Sequence, residues 1–214
     1  MKKVLLLGDS IRFGYQNYLQ DSFAGIVEVY GAKESCRFAQ FMLRWVHEWK
    51  EKENIPEDLD LVHWNVGLWD VLRIMDDGVF TPPEMYRELL KRLHNRLKTI
   101  FPKAKQVFAL STSVIEEKYE PPYFRLNQDI EEFNKIAVET LTPLGVEIND
   151  LYTFTKTLPE SCRSDMTHFY TEDGIKAVGG QVIKAICQAL NMPFAIDKEV
   201  NAIVPQLSQE LVGR

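Results

Sequence analysis

The order of apolar runs constrains this chain more than any other feature. Five short stretches rich in Val, Ile and Leu lie at 4–7, 26–29, 61–64, 107–110 and 146–148. They read as strands buried on both faces. Helical patterns fill the intervals. Phe38, Phe41, Met42, Trp45 and Trp49 recur at steps of three and four, which predicts an amphipathic helix over 35–52. At Thr81-Pro82-Pro83-Glu84 the chemistry is that of a helix start, with Thr81 as N-cap, Pro82 at the first position and Glu84 closing a capping box. Met85, Leu89, Leu93 and Leu97 then mark the buried face of that helix. Leu126, Ile130, Phe133, Ala137 and Leu141 mark the next one. Ile175, Val178, Ile183, Ile186 and Leu190 mark a last one, capped by Thr171. Strand alternating with helix predicts a three-layer α/β/α fold built on about five parallel strands.

One domain over residues 1–192 accounts for this pattern. Residues 193–214 are separate in character: Ile196, Val200, Val204, Leu207 and Leu211 have helical spacing. That tail is expected to pack on its own domain or to dock on a partner subunit, which would make a homodimer.

Composition removes several function classes. The 214 residues are 45% hydrophobic and 26% charged, so a core forms without disulfides. A formal net charge of -6, with no Lys/Arg cluster, argues against nucleic acid as a partner. Cys36, Cys162 and Cys187 are scattered, with no Cys-x-x-Cys, as in a protein with reduced thiols. His47, His63 and His94 are isolated and lack metal-ligand spacing, so no metal is expected. The opening lysines precede an apolar run too short for a signal peptide, and no segment has transmembrane length. The expectation is a soluble cytoplasmic protein with no membrane partner.

In open parallel sheets, ligands sit beyond the carboxyl ends of the strands. Those ends here read Gly8-Asp9-Ser10, Tyr30-Gly31-Ala32, Asn65-Val66-Gly67-Leu68-Trp69-Asp70, Ser111-Thr112-Ser113 and Asn149-Asp150. Near the C-terminus, Asp165 stands three residues before His168. A hydroxyl, an imidazole, a carboxylate, glycines and amide donors are the set that serine hydrolysis needs. Ser10, between a strand and a helix, would present its hydroxyl and its N–H together. Gly31 would allow a second backbone donor to approach a ligand. Each signal alone has a plain structural reading, as turn, cap or chance spacing. Together, in this chain order, they form a pattern.

From about Val4 to about Leu190 the sequence resembles the SGNH hydrolases, also called GDSL esterases and lipases. "LLLGDSI" is similar to the first family block, which implies Ser10 as nucleophile. Gly31 in "VYGAKES" matches the second-block glycine, an oxyanion-hole donor. "SDMTHFYTEDGIKAVG" resembles the fifth block, which implies Asp165 and His168 as the other triad members. "ALSTSVI" is similar to the fourth core strand, and the resemblance implies a flavodoxin-like sheet and no cofactor. The third block departs from the pattern. Trp69 stands where the family's oxyanion-hole Asn belongs, and Asn65 is the substitute donor expected here; its other reading is a residue that ties down its own loop.

Several residues are candidates for substrate contact. Arg12 and Arg37 would meet a carboxylate or polar sugar, or else pair with a nearby acid. Trp69, Asp70 and Tyr123 complete that set, Tyr123 lying in the aromatic, proline-rich loop 116–125. The expected substrate is a small carboxylic ester, such as an O-acetyl group on a carbohydrate or another short-chain acyl ester. An acyl-thioester is a further possibility. The competing class is an SGNH-fold binding protein that lost activity, for which Trp69 is the best argument. A flavodoxin-like nucleotide binder is disfavoured because neither Gly-x-Gly-x-x-Gly nor a phosphate loop is present.

Overall fold

Five parallel strands run through the middle of the molecule in the order β2-β1-β3-β5-β7. They are β1 (Lys2–Leu7), β2 (Val27–Gly31), β3 (Leu61–Trp64), β5 (Lys105–Ala109) and β7 (Glu147–Asn149). Two short strands, β4 (Arg73–Ile74) and β6 (Tyr123–Phe124), pair antiparallel in a separate ribbon. The helices are α1 (Ser10–Ser22), α2 (Ala39–Lys52), α3 (Pro83–Ile100), α4 (Asn127–Leu141), α5 (Leu151–Lys156) and α6 (Glu172–Ala189). The computed structural model of the chain describes residues 1–75 and 77–193. The stripe expected over the tail lies outside the described residues.

The helices form two layers. On one side α6 packs on α1 and α5; on the other α3 packs between α2 and α4. This is the doubly wound arrangement expected from the alternating pattern. Val4, Leu5, Leu6 and Leu7 are fully buried, as are Leu61 and Val62 next to them. A central strand covered on both faces needs an apolar residue at nearly every position. His63 is the exception in β3. Burial pushes its imidazole down to about 3, so it sits neutral, with Nε2 3.2 Å from Asn149 Nδ2 and its ring edge-on to Tyr15.

Three local expectations are corrected. The third helix starts at Pro83, not Pro82, and no side chain caps it. A residue followed by proline is driven out of the helical region, and Pro82 accordingly sits at φ -56, ψ 140. Thr81 is instead buried with its hydroxyl donating to Asp70 at 2.8 Å. Met85 is half exposed, because the buried stripe of α3 runs through Tyr86, Leu89, Leu90, Leu93 and Leu97. The second helix begins at Ala39, so residues 35–38 lie outside it.

Candidate active site

The strand order reverses around β1: the chain goes from β1 outward to β2, then crosses to β3 on the other side. The crevice beyond such a point is where open α/β sheets hold ligands. Ser10 leaves β1 and Asn65 leaves β3 on its two flanks. Asn65 N–H donates to Leu7 O at 3.1 Å and keeps the two strand ends in step.

Gly-Asp-Ser has a separate physical reason at each position. A Cβ on Gly8 would lie 2.0 Å from Asn65 Oδ1, so only glycine fits there. Asp9 is the N-cap of α1 and accepts the Ile11 N–H at 3.0 Å, an interaction worth about 0.5–2 kcal/mol. Burial pushes its carboxyl up, against the pull of the Ile11 N–H and the Asn65 amide. Ser10 is then the first helical residue, where backbone N–H groups have no partner within the helix.

His168 arrives from the far end of the sequence. Ser10 Oγ is 2.8 Å from His168 Nε2. On the other side of the ring, Nδ1 lies 2.8 Å from Asp165 Oδ2 and 3.0 Å from Oδ1. Ser10 and His168 are both buried. The three-residue spacing is what makes this possible: Asp165 Oδ1 also accepts the N–H groups of Thr167 at 2.7 Å and His168 at 2.8 Å. One carboxylate thereby folds its own loop and orients the imidazole. Burial works against ionisation of Asp165, but the bond and charge of His168 and the two N–H groups outweigh it, and its carboxyl is held at about 2.

The loop carrying His168 is anchored on several sides. Arg163 donates to Ser113 O at 2.9 Å and Ser113 Oγ at 2.8 Å. Ile115 N–H donates to Met166 O at 2.9 Å, and Tyr119 Oη lies 2.6 Å from Thr167 Oγ1. Arg125 Nε donates to Leu68 O at 2.6 Å, tying the same segment to the loop after β3. Tyr170 stacks on the His168 ring at 4.7 Å and donates its hydroxyl to Ser10 O at 2.6 Å. A Cβ on Gly14 would meet the Tyr170 ring at 2.8 Å, so that glycine makes the stack possible. Tyr119, Arg125, Thr167 and Tyr170 were not singled out from the sequence. Their partners lie far along the chain or in irregular loops, where spacing carries no signal.

The remaining candidates divide. Gly31 is in register with Leu6 inside β2, and its missing side chain makes room for Gln16. The segment after Gly31 reaches the nucleophile's turn at Cys36, whose N–H donates to Gly8 O at 2.9 Å. Arg12 is fully buried; its guanidinium donates to Gln16 and, at 3.0 Å, to Glu34 O. It holds the loop after β2 and has no face toward a ligand. Asp70 is fully buried too, accepting the Ala39 N–H at 3.1 and 3.2 Å and the Thr81 hydroxyl. It caps α2 from 31 residues away, and burial pushes its carboxyl up to about 7 despite those bonds. Asp70 is thus a structural cap and not a substrate ligand. Tyr123 stands in the β4–β6 ribbon opposite Ile74, partly exposed. Trp69 is partly exposed in the turn after Asn65, and Arg37 is partly exposed one residue beyond Cys36.

The three cysteines are free and buried. Among the described residues, no group of three or more His, Cys, Asp or Glu side chains is placed to hold a metal ion. No helix among them is long and apolar enough to cross a membrane.

No protein-family model matches the sequence, and no curated protein matches it. Solved structures do. A lipase/acylhydrolase from Enterococcus faecalis superposes with a TM-score of 0.68 at 20% identity, covering 87% of this chain and 95% of that one. The acetyl xylan esterase AlAXEase gives 0.66 at 18% identity, covering 86% and 99%. A psychrotrophic esterase, EstA, from Pseudoalteromonas sp. gives 0.65 at 15%, covering 89% and 100%. The chain has the α/β fold of the SGNH, or GDSL-like, hydrolases.

Proposed function

We propose that this protein is a serine ester hydrolase of the SGNH type acting on small carboxylic esters. The observation that carries the reading is the unbroken chain Ser10 Oγ–His168–Asp165, with bonds of 2.8 Å on each side of the imidazole, at the switch point of the sheet. Fold alone does not fix chemistry, but this chain of groups adds to it the parts the reaction requires. Ser10 Oγ attacks the ester carbonyl as His168 Nε2 takes its proton. Asp165, ionised throughout the working range, keeps Nδ1 protonated and stabilises the imidazolium. The Ser10 N–H and the Asn65 side-chain amide bind the oxyanion. The imidazolium then protonates the departing alcohol, and water, activated by the same imidazole, releases the acid from the acyl-enzyme.

Asn65 is the side-chain donor in this reading because it is held against Gly8 and Asp9 at the strand end. The preferred substrates are O-acetyl groups on a carbohydrate or other short-chain acyl esters. AlAXEase, an acetyl xylan esterase, supports that choice by analogy. The intact serine, histidine and aspartate weigh against an inert binding protein.

Hydrolysis of p-nitrophenyl acetate by the purified protein tests the reading, with Ser10→Ala and Asn65→Ala alongside. Ser10→Ala is expected to abolish turnover, and Asn65→Ala to lower kcat by about 10²–10³. Absence of turnover, together with no labelling of Ser10 by a fluorophosphonate, would refute it.

A further inference from the structure

We propose that the ester this enzyme prefers carries a carboxylate, held by Arg37 with Arg125 contributing its charge. The inference rests on the esterase reading above and names its substrate class.

The argument begins with how the charges are paired. Away from the site, cations meet acids in the usual way: Lys2 with Asp60, Arg44 with Glu48, Arg73 with Asp129, Arg87 with Glu139 and Lys176 with Glu172. Around the strand ends the rule fails. Among the described residues, Arg12, Arg37, Arg125 and Arg163 form no ion pair. The acids nearby are bound to other groups. Asp165 is taken by His168, Asp70 by Ala39 and Thr81, Asp9 by Ile11, and Glu34 accepts the Trp49 indole N–H at 3.0 Å. In a chain with an excess of acids, four arginines near the strand ends thus stand without a carboxylate partner among the described residues.

The four arginines are not equivalent. Arg12 is sealed in, and both terminal nitrogens of Arg163 are occupied by Ser113. Arg37 is different. Its guanidinium makes no hydrogen bond among the described residues and lies 4.9 Å over the Phe41 ring. Its Nε is buried without a partner and its terminal N–H groups form no bond among the described residues, the donor set that receives a carboxylate in a fork. Its backbone is held at φ 47, in the left-handed region, with its N–H donated to Ser35 Oγ at 3.2 Å. A non-glycine residue is held there only where its surroundings over-determine it. Arg37 follows Cys36, whose N–H is bonded to Gly8 O, so the backbone that carries this guanidinium passes the nucleophile's own turn. Among the described residues Arg125 bonds neutral oxygens, those of Leu68 and Tyr119. Its charge reaches Asp9.

Two matched ester pairs test the proposal. 4-Acetoxybenzoate against 4-acetoxybenzamide places the charge on the alcohol side. p-Nitrophenyl hemisuccinate against p-nitrophenyl butyrate places it on the acyl side. The readout is the charged-to-neutral ratio of kcat/KM, compared within each protein so that intrinsic reactivity cancels. In at least one pair, Arg37→Gln is expected to lower that ratio by about tenfold or more, and Arg125→Gln by less. For the wild-type protein, raising the salt from about 0.01 M to about 1 M shrinks the screening length tenfold and is expected to lower the same ratio. That measurement needs no variant to fold. Ratios unchanged by Arg37→Gln and by salt in both pairs, with the neutral esters hydrolysed through Ser10, would overturn the anionic substrate and leave the esterase standing. No hydrolysis of any of the four would overturn both.

Discussion

Gly8→Ala, made alone and together with Asn65→Ala, probes the site through its tightest contact. The new methyl carbon would lie 2.0 Å from Asn65 Oδ1, 2.9 Å from Arg12 Cβ and 3.1 Å from Asn65 Cγ. The first distance is far inside van der Waals contact, so Asn65 must leave its position. Overpacking of this kind costs about 1–3 kcal/mol. Because two of the three close atoms belong to Asn65, most of that cost is expected to vanish when Asn65 is alanine. A double-mutant cycle should therefore give a coupling of about 1–2 kcal/mol, the double variant being more stable than the sum of the singles predicts. Turnover carries the second half of the test. If Gly8→Ala acts by displacing the Asn65 amide, its kcat falls by about 10²–10³, and the double variant is no slower than Asn65→Ala alone. Urea denaturation midpoints and p-nitrophenyl acetate kinetics on the four proteins measure both quantities. Equal destabilisation by Gly8→Ala in the two backgrounds, or additive losses in kcat, would refute the reasoning.

Asp165→Asn should keep the fold but leave the imidazole without its carboxylate, lowering kcat by about 10³–10⁴ in steady-state assays. The Asp165 carboxyl is held near 2, so acid loss of wild-type activity in a pH–rate profile should not trace to this group until the pH approaches that value. Asp70→Asn should lower stability by about 2 kcal/mol, seen as a fall in denaturation midpoint, because it damages the cap on Ala39 and the Thr81 bond. The pH dependence of Asp70 runs opposite to that of a paired carboxylate. Its folded value, about 7, lies above the ordinary 3.8, so its contribution is full below about 4 and is lost as pH rises through 7. The stability profile of Asp70→Asn should lack that decline between pH 4 and 7. Tyr170→Phe removes the hydroxyl bond to Ser10 O but keeps the stack on His168; it should cost less in kcat than Tyr170→Ala, which removes both.

The strands were legible because a sheet buried on both faces admits little besides Val, Ile and Leu. Leu61–Trp64 was read with the bounds it has, and the other four were displaced by one or two residues at their ends. Thr171 was legible as a cap because its partner, the Gly174 N–H, is only three residues away. The cap on α2 was not, because it comes from Asp70, in another loop. Residues 35–38 were read as helix for the same reason: nothing in their own composition announces that the chain must first pass Gly8. Ser10, Asp165 and His168 were nameable from residue type, order and resemblance. What could not be read was their support. Tyr119, Arg125 and Tyr170 act through bonds to Thr167, Leu68 and Ser10 that only the folded topology creates. Arg12 and Asp70 were candidates for ligand contact from their place beside the strand ends, Arg12 with an internal pairing as its other reading; both are buried, holding neighbouring loops in place.

The segment from Ile115 to Arg125 touches both halves of the site. It holds the histidine loop through Met166 and Thr167 and the asparagine loop through Leu68. Loops beside an active site are commonly treated as interchangeable parts, to be lengthened or exchanged when a new substrate is wanted. Here that freedom is curtailed. A replacement that omits Tyr119 or Arg125 would loosen the imidazole and the Asn65 strand end together. Changes meant to widen substrate range are therefore better placed at Arg37, Phe38 and Phe80, whose ring contacts lie outside that network.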